Sequence, residues 1–168
     1  QVAVMSEMGK SEGYLSLLVQ PPAADMDGLV GSREIIFVVD VSGSMAGVPI
    51  SMCKEAMVDA VRRLRPVDTF NIVTFASGTR MLFEHARPVN SKTVEQAGSF
   101  VEGMESGGGT EMLGAVQAVL EASIDANMTR VVVFMTDGFI GNEDQILKAV
   151  ADGVGAVEKQ KAKARIFA

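Results

Sequence analysis

The chain has 168 residues, of which 48% are hydrophobic and 21% charged, a balance that suits one globular domain with a sizeable core and excludes a disordered chain. The net charge of −6 argues against nucleic-acid binding, which needs clustered Lys and Arg side chains. Cys53 and His85 are the only residues of their types, so an internal disulfide and a thiolate metal cluster are excluded. No apolar run reaches the roughly 18 residues of a membrane span, and we expect no membrane insertion by this stretch.

Residues 1–33 are expected to form a strand and a linker ahead of the main domain. Residues 14–19 are rich in strand-forming side chains, and Pro21 and Pro22 end that run. The stretch that follows, residues 23–32, is rich in turn-forming residues. We therefore place the main domain at residues 34–168.

Strands and helices alternate along the main domain. Apolar runs predict strands buried on both faces at 35–39 and 131–135, further strands at 70–75 and 80–84, and a last strand that begins at 164. Helical periodicity and capping residues predict helices at about 50–64, from the N-cap Ser91 to about 104, at 112–122, and from the N-cap Asn142 onward.

This alternation predicts an α/β fold of the doubly wound, Rossmann-like type. The sheet is expected to be mostly parallel, with helices on both faces. Ser77-Gly78 permits a tight hairpin, so the strand at 80–84 should be antiparallel and lie at the edge.

Oxygen-bearing side chains follow the ends of two of these strands and lie in a glycine-rich loop. The first strand leads into Asp40, Ser42 and Ser44, the 131–135 strand leads to Asp137, and the loop contains Thr110. In open parallel sheets, ligands bind outside the carboxyl ends of the strands, so these side chains are expected to converge. A set of carboxylates and hydroxyls suits a hard cation, Mg²⁺ in the first place, with Mn²⁺ and Ca²⁺ as alternatives.

The spacing of these residues supports a shared site. Alternate residues of an extended segment point the same way, which would direct Asp40, Ser42 and Ser44 toward one point. Gly43 lets the chain turn there without a Cβ clash. Five such donors would not satisfy every position around a divalent ion, so a carboxylate from another molecule is expected to complete the site.

Three short motifs resemble the metal-ion-dependent adhesion site of von Willebrand factor A domains. They are Asp40-Val41-Ser42-Gly43-Ser44, Gly109-Thr110 and Thr136-Asp137-Gly138. Residues 66–75 and 107–113 are similar to those of bacterial proteins related to inter-alpha-trypsin inhibitor heavy chains. Residues 14–22 resemble the tail of the VIT domain that precedes the A domain in such proteins.

The resemblance implies a non-enzymatic adhesion or interaction module at the cell surface or outside the cell. Ser42, Ser44 and Thr110 would coordinate the cation directly, while Asp40 and Asp137 would act partly through waters or by hydrogen bonds to the serines. The partner would be a protein that offers a Glu or Asp carboxylate. Domains of this family continue past the strand at Ile166 with one more strand and a helix, so we expect 34–168 to lack both, and self-association through the sheet edge is a hypothesis.

Two other functions remain open from the residues alone. A metal-dependent hydrolase also uses Asp at a strand end, although Asp40 has no second carboxylate two residues on and no Walker lysine follows Gly107. A scaffold with a vestigial metal site is the second alternative, because Asp and Ser at strand ends often only cap the next helix. Capping or surface roles are expected for further polar residues, namely Asp68, Glu111, Asn142 and Glu143.

Overall fold

The computed structural model describes residues 2–8, 13–19, 31–126, 128–138 and 143–167. The chain divides into two compact units, Gln1–Val30 and Gly31–Ala168. In the first unit, β1 (Val2–Met8) pairs in antiparallel fashion with β2 (Gly13–Val19). The strand predicted at 14–19 is confirmed, whereas β1 has no counterpart among the predicted strands. Most of the predicted linker lies outside the described residues.

The second unit alternates strands and helices in the predicted order. The described strands are β3 (Arg33–Asp40), β4 (Thr69–Phe75), β5 (Thr79–Met81), β6 (Arg87–Pro88), β7 (Thr129–Met135) and β8 (Lys163–Phe167). The described helices are α1 (Val48–Arg62), α2 (Ser91–Glu102), α3 (Met112–Glu121) and α4 (Glu143–Lys159), and a single 3-10 turn covers Gly43–Met45.

The sheet of this unit is mostly parallel, in the order β5-β4-β3-β7-β8. β3 runs parallel to both β4 and β7, and β7 runs parallel to β8. The antiparallel edge consists of two short strands, β5 and β6, which both pair with β4. The predicted doubly wound sheet with an antiparallel edge is therefore confirmed.

Helices cover both faces of the sheet because β3 is apolar on both sides. Phe37 and Val39 pack with buried residues of α1 and α2, such as Met57. Their neighbour Val38 points to the opposite face and packs with residues of α3 and α4, such as Val116. Alternate residues of a strand point to opposite faces, and so one apolar run builds both cores.

The direction of the crossovers makes the carboxyl ends of β3 and β7 a topological switch point. From β3 the chain passes through α1 to β4, toward one edge of the sheet. From β7 it passes through α4 to β8, toward the opposite edge. The connections that leave these two neighbouring strands therefore diverge. Ligands of open α/β sheets bind at such a switch point, outside the carboxyl ends of the strands. Asp40 and Thr136 lie at this point.

Three predictions about individual elements are wrong in detail: the length of the edge strand, the N-cap of α2 and the burial of β7. The edge strand predicted at 80–84 is shortened to β5. At Phe83 the side chain of Asn71 replaces the backbone of β4 as the hydrogen-bond partner. Its Oδ1 accepts from Phe83 N at 3.1 Å, and its Nδ2 donates to Phe83 O at 2.8 Å. The N-cap of α2 is Asn90 rather than Ser91, since Asn90 Oδ1 accepts from Thr93 N at 3.0 Å and Thr93 Oγ1 accepts from Asn90 N in return. The predicted N-cap Asn142 lies outside the described residues.

The third correction concerns β7, which is not buried on both faces. Val132 and Phe134 are buried, but Val131, Val133 and Met135 are only half-buried. These three side chains lie at the margin of the cluster formed with α1 and α2. That cluster has its buried centre over β3 and β4, and so this face of β7 remains partly open.

Charged side chains are buried at the amino ends of the strands. Asp68 has no exposed side-chain surface and accepts hydrogen bonds from Arg33 Nη2 at 2.6 Å and Arg65 Nη2 at 2.7 Å. Burial opposes its ionisation, but the hydrogen bonds from Arg65 and then Arg33 outweigh it and hold the pKa of Asp68 well below its usual range. The prediction of a capping or surface role for Asp68 is wrong, whereas Glu111 and Glu143 are exposed as expected.

Arg130 is the largest fully buried side chain among the described residues. Its guanidinium donates to Glu34 and to the carbonyl oxygens of Val119, Ala122 and Ser123 at the end of α3. A buried charge is tolerated only when it is paired and fully hydrogen-bonded, and this arrangement meets both conditions. It anchors the carboxyl end of the helix that begins just after Thr110.

Candidate metal-binding site

Asp40 is the buried anchor of the candidate site. It is the last residue of β3 and is 0% exposed. Its Oδ1 accepts a hydrogen bond from Ser42 N at 2.8 Å, and its Oδ2 accepts one from Thr136 Oγ1 at 2.9 Å. The first bond goes to the backbone of Ser42 and not to its hydroxyl, so that hydroxyl is left to other partners. The second bond, from Thr136, connects the loop after β3 to the end of β7.

The two serines lie side by side after β3. Ser42 Oγ is 3.0 Å from Ser44 Oγ, although Ser42 is 1% exposed and Ser44 lies at the surface. The 3-10 turn brings them together, and the buried side chain of Met45 attaches that turn to the core. The hydroxyls of Ser42 and Ser44 therefore lie on the same side of this segment.

Thr110 lies on a glycine-rich loop that packs against this segment. Gly107 N donates to Val41 O at 2.8 Å, and Gly43 N donates to Gly108 O at 3.2 Å. These backbone hydrogen bonds place the loop beside the serines. Thr110 itself is half-buried.

Asp137 follows the end of β7 and is exposed. Its neighbour Thr136 contacts Asp40 directly, which places Asp137 at the same edge of the sheet. Gly138 then turns the chain with a φ of +89°, a conformation that favours glycine, and its N–H donates to Thr136 Oγ1 at 3.2 Å.

The predicted site residues are thus joined to different degrees. Asp40 accepts a hydrogen bond from the backbone N–H of Ser42, and the hydroxyls of Ser42 and Ser44 are hydrogen-bonded to each other. Among the described residues, the side chains of Thr110 and Asp137 make no hydrogen bond to these three. Thr136 was not among the residues predicted to form the site, although it belongs to the motif Thr136-Asp137-Gly138.

The charge of Asp40 has no basic partner within the described part of the chain. No salt bridge reaches its carboxylate there, and its two hydrogen-bond donors are a neutral amide and a neutral hydroxyl. A buried carboxylate without a cation is energetically costly. The site therefore suits a cation on an observation independent of any motif.

The types of donor suit a hard cation with oxygen ligands. No group of three or more His, Cys, Asp or Glu side chains within the described ranges is arranged to hold a metal. Hydroxyl oxygens must therefore complete any site here, and they are ligands that Mg²⁺, Mn²⁺ and Ca²⁺ accept. Burial raises the pKa of the Cys53 thiol on α1, and the charge of Asp40 raises it further, which disfavours a thiolate ligand beneath the site.

Comparison with known proteins identifies the family. Residues 33–168 match the model of the von Willebrand factor type A domain. The chain belongs to the von Willebrand factor type A family. Domains of this family are generally protein-interaction modules rather than enzymes, and they are often extracellular.

Relatives and solved structures agree with this assignment. A von Willebrand factor A domain-containing protein of Dictyostelium discoideum is 36% identical over 126 residues, which are 74% of this chain and 14% of that protein. Von Willebrand factor A domain-containing protein 5B1 of Mus musculus is 33% identical over 118 residues, 70% of this chain and 10% of that protein. The chain thus spans a small part of the curated relatives it matches.

The fold also matches a solved von Willebrand factor type A structure from Catenulispora acidiphila. The match has a TM-score of 0.63 and 19% identity, and it covers 81% of this chain and 33% of the solved chain. The match to BatB from Bacteroides thetaiotaomicron has a TM-score of 0.55 and 15% identity, and it covers 80% of this chain and 65% of the BatB chain. Among the described residues, no helix of this A domain is long and apolar enough to cross a membrane.

Proposed function

We propose that this A domain is a metal-dependent protein-binding module that engages an acidic residue of a partner protein. The observation that carries the proposal is the buried Asp40 carboxylate, which has no basic partner among the described residues and lies beside two serine hydroxyls 3.0 Å apart. Mg²⁺ is the cation that we propose, with Mn²⁺ or Ca²⁺ as alternatives.

The five residues would divide the work between binding the cation and holding the binding groups in place. Ser42 and Ser44 would bind it through their hydroxyls, and Thr110 would approach from the glycine-rich loop. Asp40 orients the first segment through its hydrogen bonds to Ser42 and Thr136. Asp137 is exposed and would supply a second carboxylate at the rim.

The mixture of neutral and charged donors explains how a partner would be recognised. A bound divalent cation would supply a positive charge that attracts a carboxylate. Since three of the five donors are neutral hydroxyls, much of that charge would remain available to a Glu or Asp from outside. The exposed positions of Ser44 and Asp137 leave this side of the site accessible. We propose an extracellular or cell-surface location for such a contact.

Calorimetric titration with each cation tests the metal site. The wild-type protein should release or absorb heat with Mg²⁺, Mn²⁺ or Ca²⁺, and Ser44→Ala and Asp137→Ala should abolish that signal while their thermal unfolding stays cooperative. Asp152→Ala is the matched control, because Asp152 is an exposed carboxylate on α4. Unfolding of both site variants would show that the residues cap helices instead of binding a cation.

Further outcomes separate this function from the two alternatives. The absence of heat with all three cations would favour a scaffold with a vestigial site. Turnover of a phosphate ester with Mg²⁺ that is lost in Asp40→Ala would favour a hydrolase. Once a partner is found, replacement of its critical Glu by Gln should abolish binding if a carboxylate completes the site.

A further inference from the structure

The turn between β4 and β5 contacts the loop that contains Thr110. Ser77 Oγ, in this turn, accepts a hydrogen bond from Gly109 N at 2.7 Å. The preceding residue, Ala76, accepts one from Glu111 N at 2.7 Å through its carbonyl oxygen. Thr110 therefore lies between two residues whose backbone N–H groups are hydrogen-bonded, and in one case the acceptor is a side chain.

The hydrogen bond that Ser77 Oγ accepts acts on a peptide unit that is held at both ends. The N–H of Gly109 and the carbonyl of Gly108 belong to the same planar peptide group. The carbonyl accepts from Gly43 N at 3.2 Å, on the segment between Ser42 and Ser44. This single peptide thus bridges the serine segment and the β4–β5 turn.

Local geometry makes the orientation of this peptide sensitive to Ser77. Gly108 has a φ of +80°, and a Cβ added there would lie 2.6 Å from Ser77 Oγ, so the two residues pack closely. Glycines on both sides of a peptide group allow its plane to reorient at low cost, through ψ of the first glycine and φ of the second. The hydrogen bonds at its two ends oppose that reorientation. The direction of the Thr110 side chain depends on the same backbone.

We propose that Ser77 is a positioning residue that orients the Gly108–Gly109 peptide and thereby directs the Thr110 hydroxyl toward the cation. This inference rests on the proposed metal-binding function. Ser77 is exposed and does not contribute to the buried core. Its effect should therefore appear in cation affinity and in the dynamics of the loop, and not in global stability.

Three variants with Mg²⁺ alone as the probe test this role. Ser77→Ala removes the acceptor, Ser77→Thr keeps a hydroxyl, and Ser99→Ala changes an exposed serine on α2 as the matched control. Calorimetry should show that Ser77→Ala weakens Mg²⁺ binding by about five- to tenfold, the loss expected for one hydrogen bond. Ser77→Thr and Ser99→Ala should bind as the wild type does.

Amide hydrogen exchange of the metal-free protein gives a second readout that needs no bound cation. Ser77→Ala should accelerate exchange at Gly109, while the amides of β3 and β7 and the thermal midpoint stay as in the wild type. An unchanged Mg²⁺ affinity in Ser77→Ala, or a Ser77→Thr variant as weak as Ser77→Ala, overturns the inference. If the wild type gives no heat with Mg²⁺, the same variants are compared with Mn²⁺ and Ca²⁺. If all three cations give no heat with the wild type, the proposed function fails first and the inference falls with it, so the two failures are distinguishable.

Discussion

The hydroxyl of Thr136 donates a hydrogen bond to Asp40 Oδ2 at 2.9 Å, across the point where the connections from β3 and β7 diverge. The two residues are 96 positions apart in the chain. Their hydrogen bond joins the two strand ends whose loops contribute Ser42, Ser44 and Asp137. The candidate site is therefore assembled through a contact that lies beneath its exposed donors.

Thr136→Val should weaken divalent-cation binding because Asp40 loses the donor that fixes its Oδ2 atom. The shape of the side chain is nearly kept, so the loss should come from the hydroxyl and amount to about tenfold in affinity for a hydrogen bond to a charged group. Calorimetry with Mg²⁺ measures it. Thr129→Val, at the opposite end of the same strand, is the control and should bind Mg²⁺ normally. Equal affinities of the two variants would contradict the structural role of Thr136.

Gly108→Ala should impair the glycine-rich loop, whereas Gly107→Ala should not. Alanine at 108 is strained by the φ of +80°, and its Cβ would lie 2.6 Å from Ser77 Oγ. An added Cβ at Gly107 meets no atom within 4 Å. We expect Gly108→Ala to lose Mg²⁺ affinity in calorimetry and Gly107→Ala to retain most of it. The reverse order would show that the conformation of this loop in solution differs from the one described.

Gly153→Ala and Gly155→Ala should shift stability in opposite directions, although both lie in α4. A Cβ at Gly153 would lie 2.5 Å from Leu120 Cβ on α3, so the two helices would have to separate. We expect a loss of roughly 1–3 kcal/mol from overpacking, partly offset by better helix propensity. Gly155 has open space, and alanine there should add up to about 1 kcal/mol.

The measurement for this pair is urea denaturation followed by circular dichroism. A destabilised Gly155→Ala would mean that its space is occupied in solution. A stabilised Gly153→Ala would mean that α3 and α4 are not packed as closely as described.

Asp68→Asn should destabilise the fold most at neutral pH. The pKa of Asp68 is lowered on folding, so its contribution is present above its ordinary value of 3.8. That contribution decreases progressively as the pH falls from about 4 toward the lowered pKa. Removal of the charge leaves Arg33 and Arg65 without their shared carboxylate, which should cost roughly 2–4 kcal/mol. The difference in unfolding free energy between wild type and variant should shrink toward pH 3.

Asp59→Asn is the control for this prediction. Asp59 pairs with Arg63 at 2.9 Å, but both side chains are exposed, so its loss should change stability little at any pH. A pH-independent difference between wild type and Asp68→Asn would show that packing rather than charge is responsible. Mg²⁺ affinity should be unaffected, because Asp68 lies at the amino end of β4, away from the site.

The sequence by itself predicted the order of strands and helices and the placement of the oxygen donors at strand ends. Both follow from local patterns, since an apolar run such as Ile35–Val39 and a helical repeat such as Met57 and Val61 are visible within a few residues. The parallel topology followed from the alternation of these elements. Because the motifs lie at strand ends, the same patterns also placed Asp40, Ser42 and Ser44 close together.

Only the tertiary structure decided which side chains hold the candidate site together. The partners Asp40 and Thr136, and likewise Ser77 and Gly109, come from segments 96 and 32 residues apart, and no local pattern encodes such a contact. The same holds for Gly153, whose place in a helix is explained by its approach to Leu120. Side-chain contacts between distant segments depend on how whole elements pack, and that packing exists only in three dimensions.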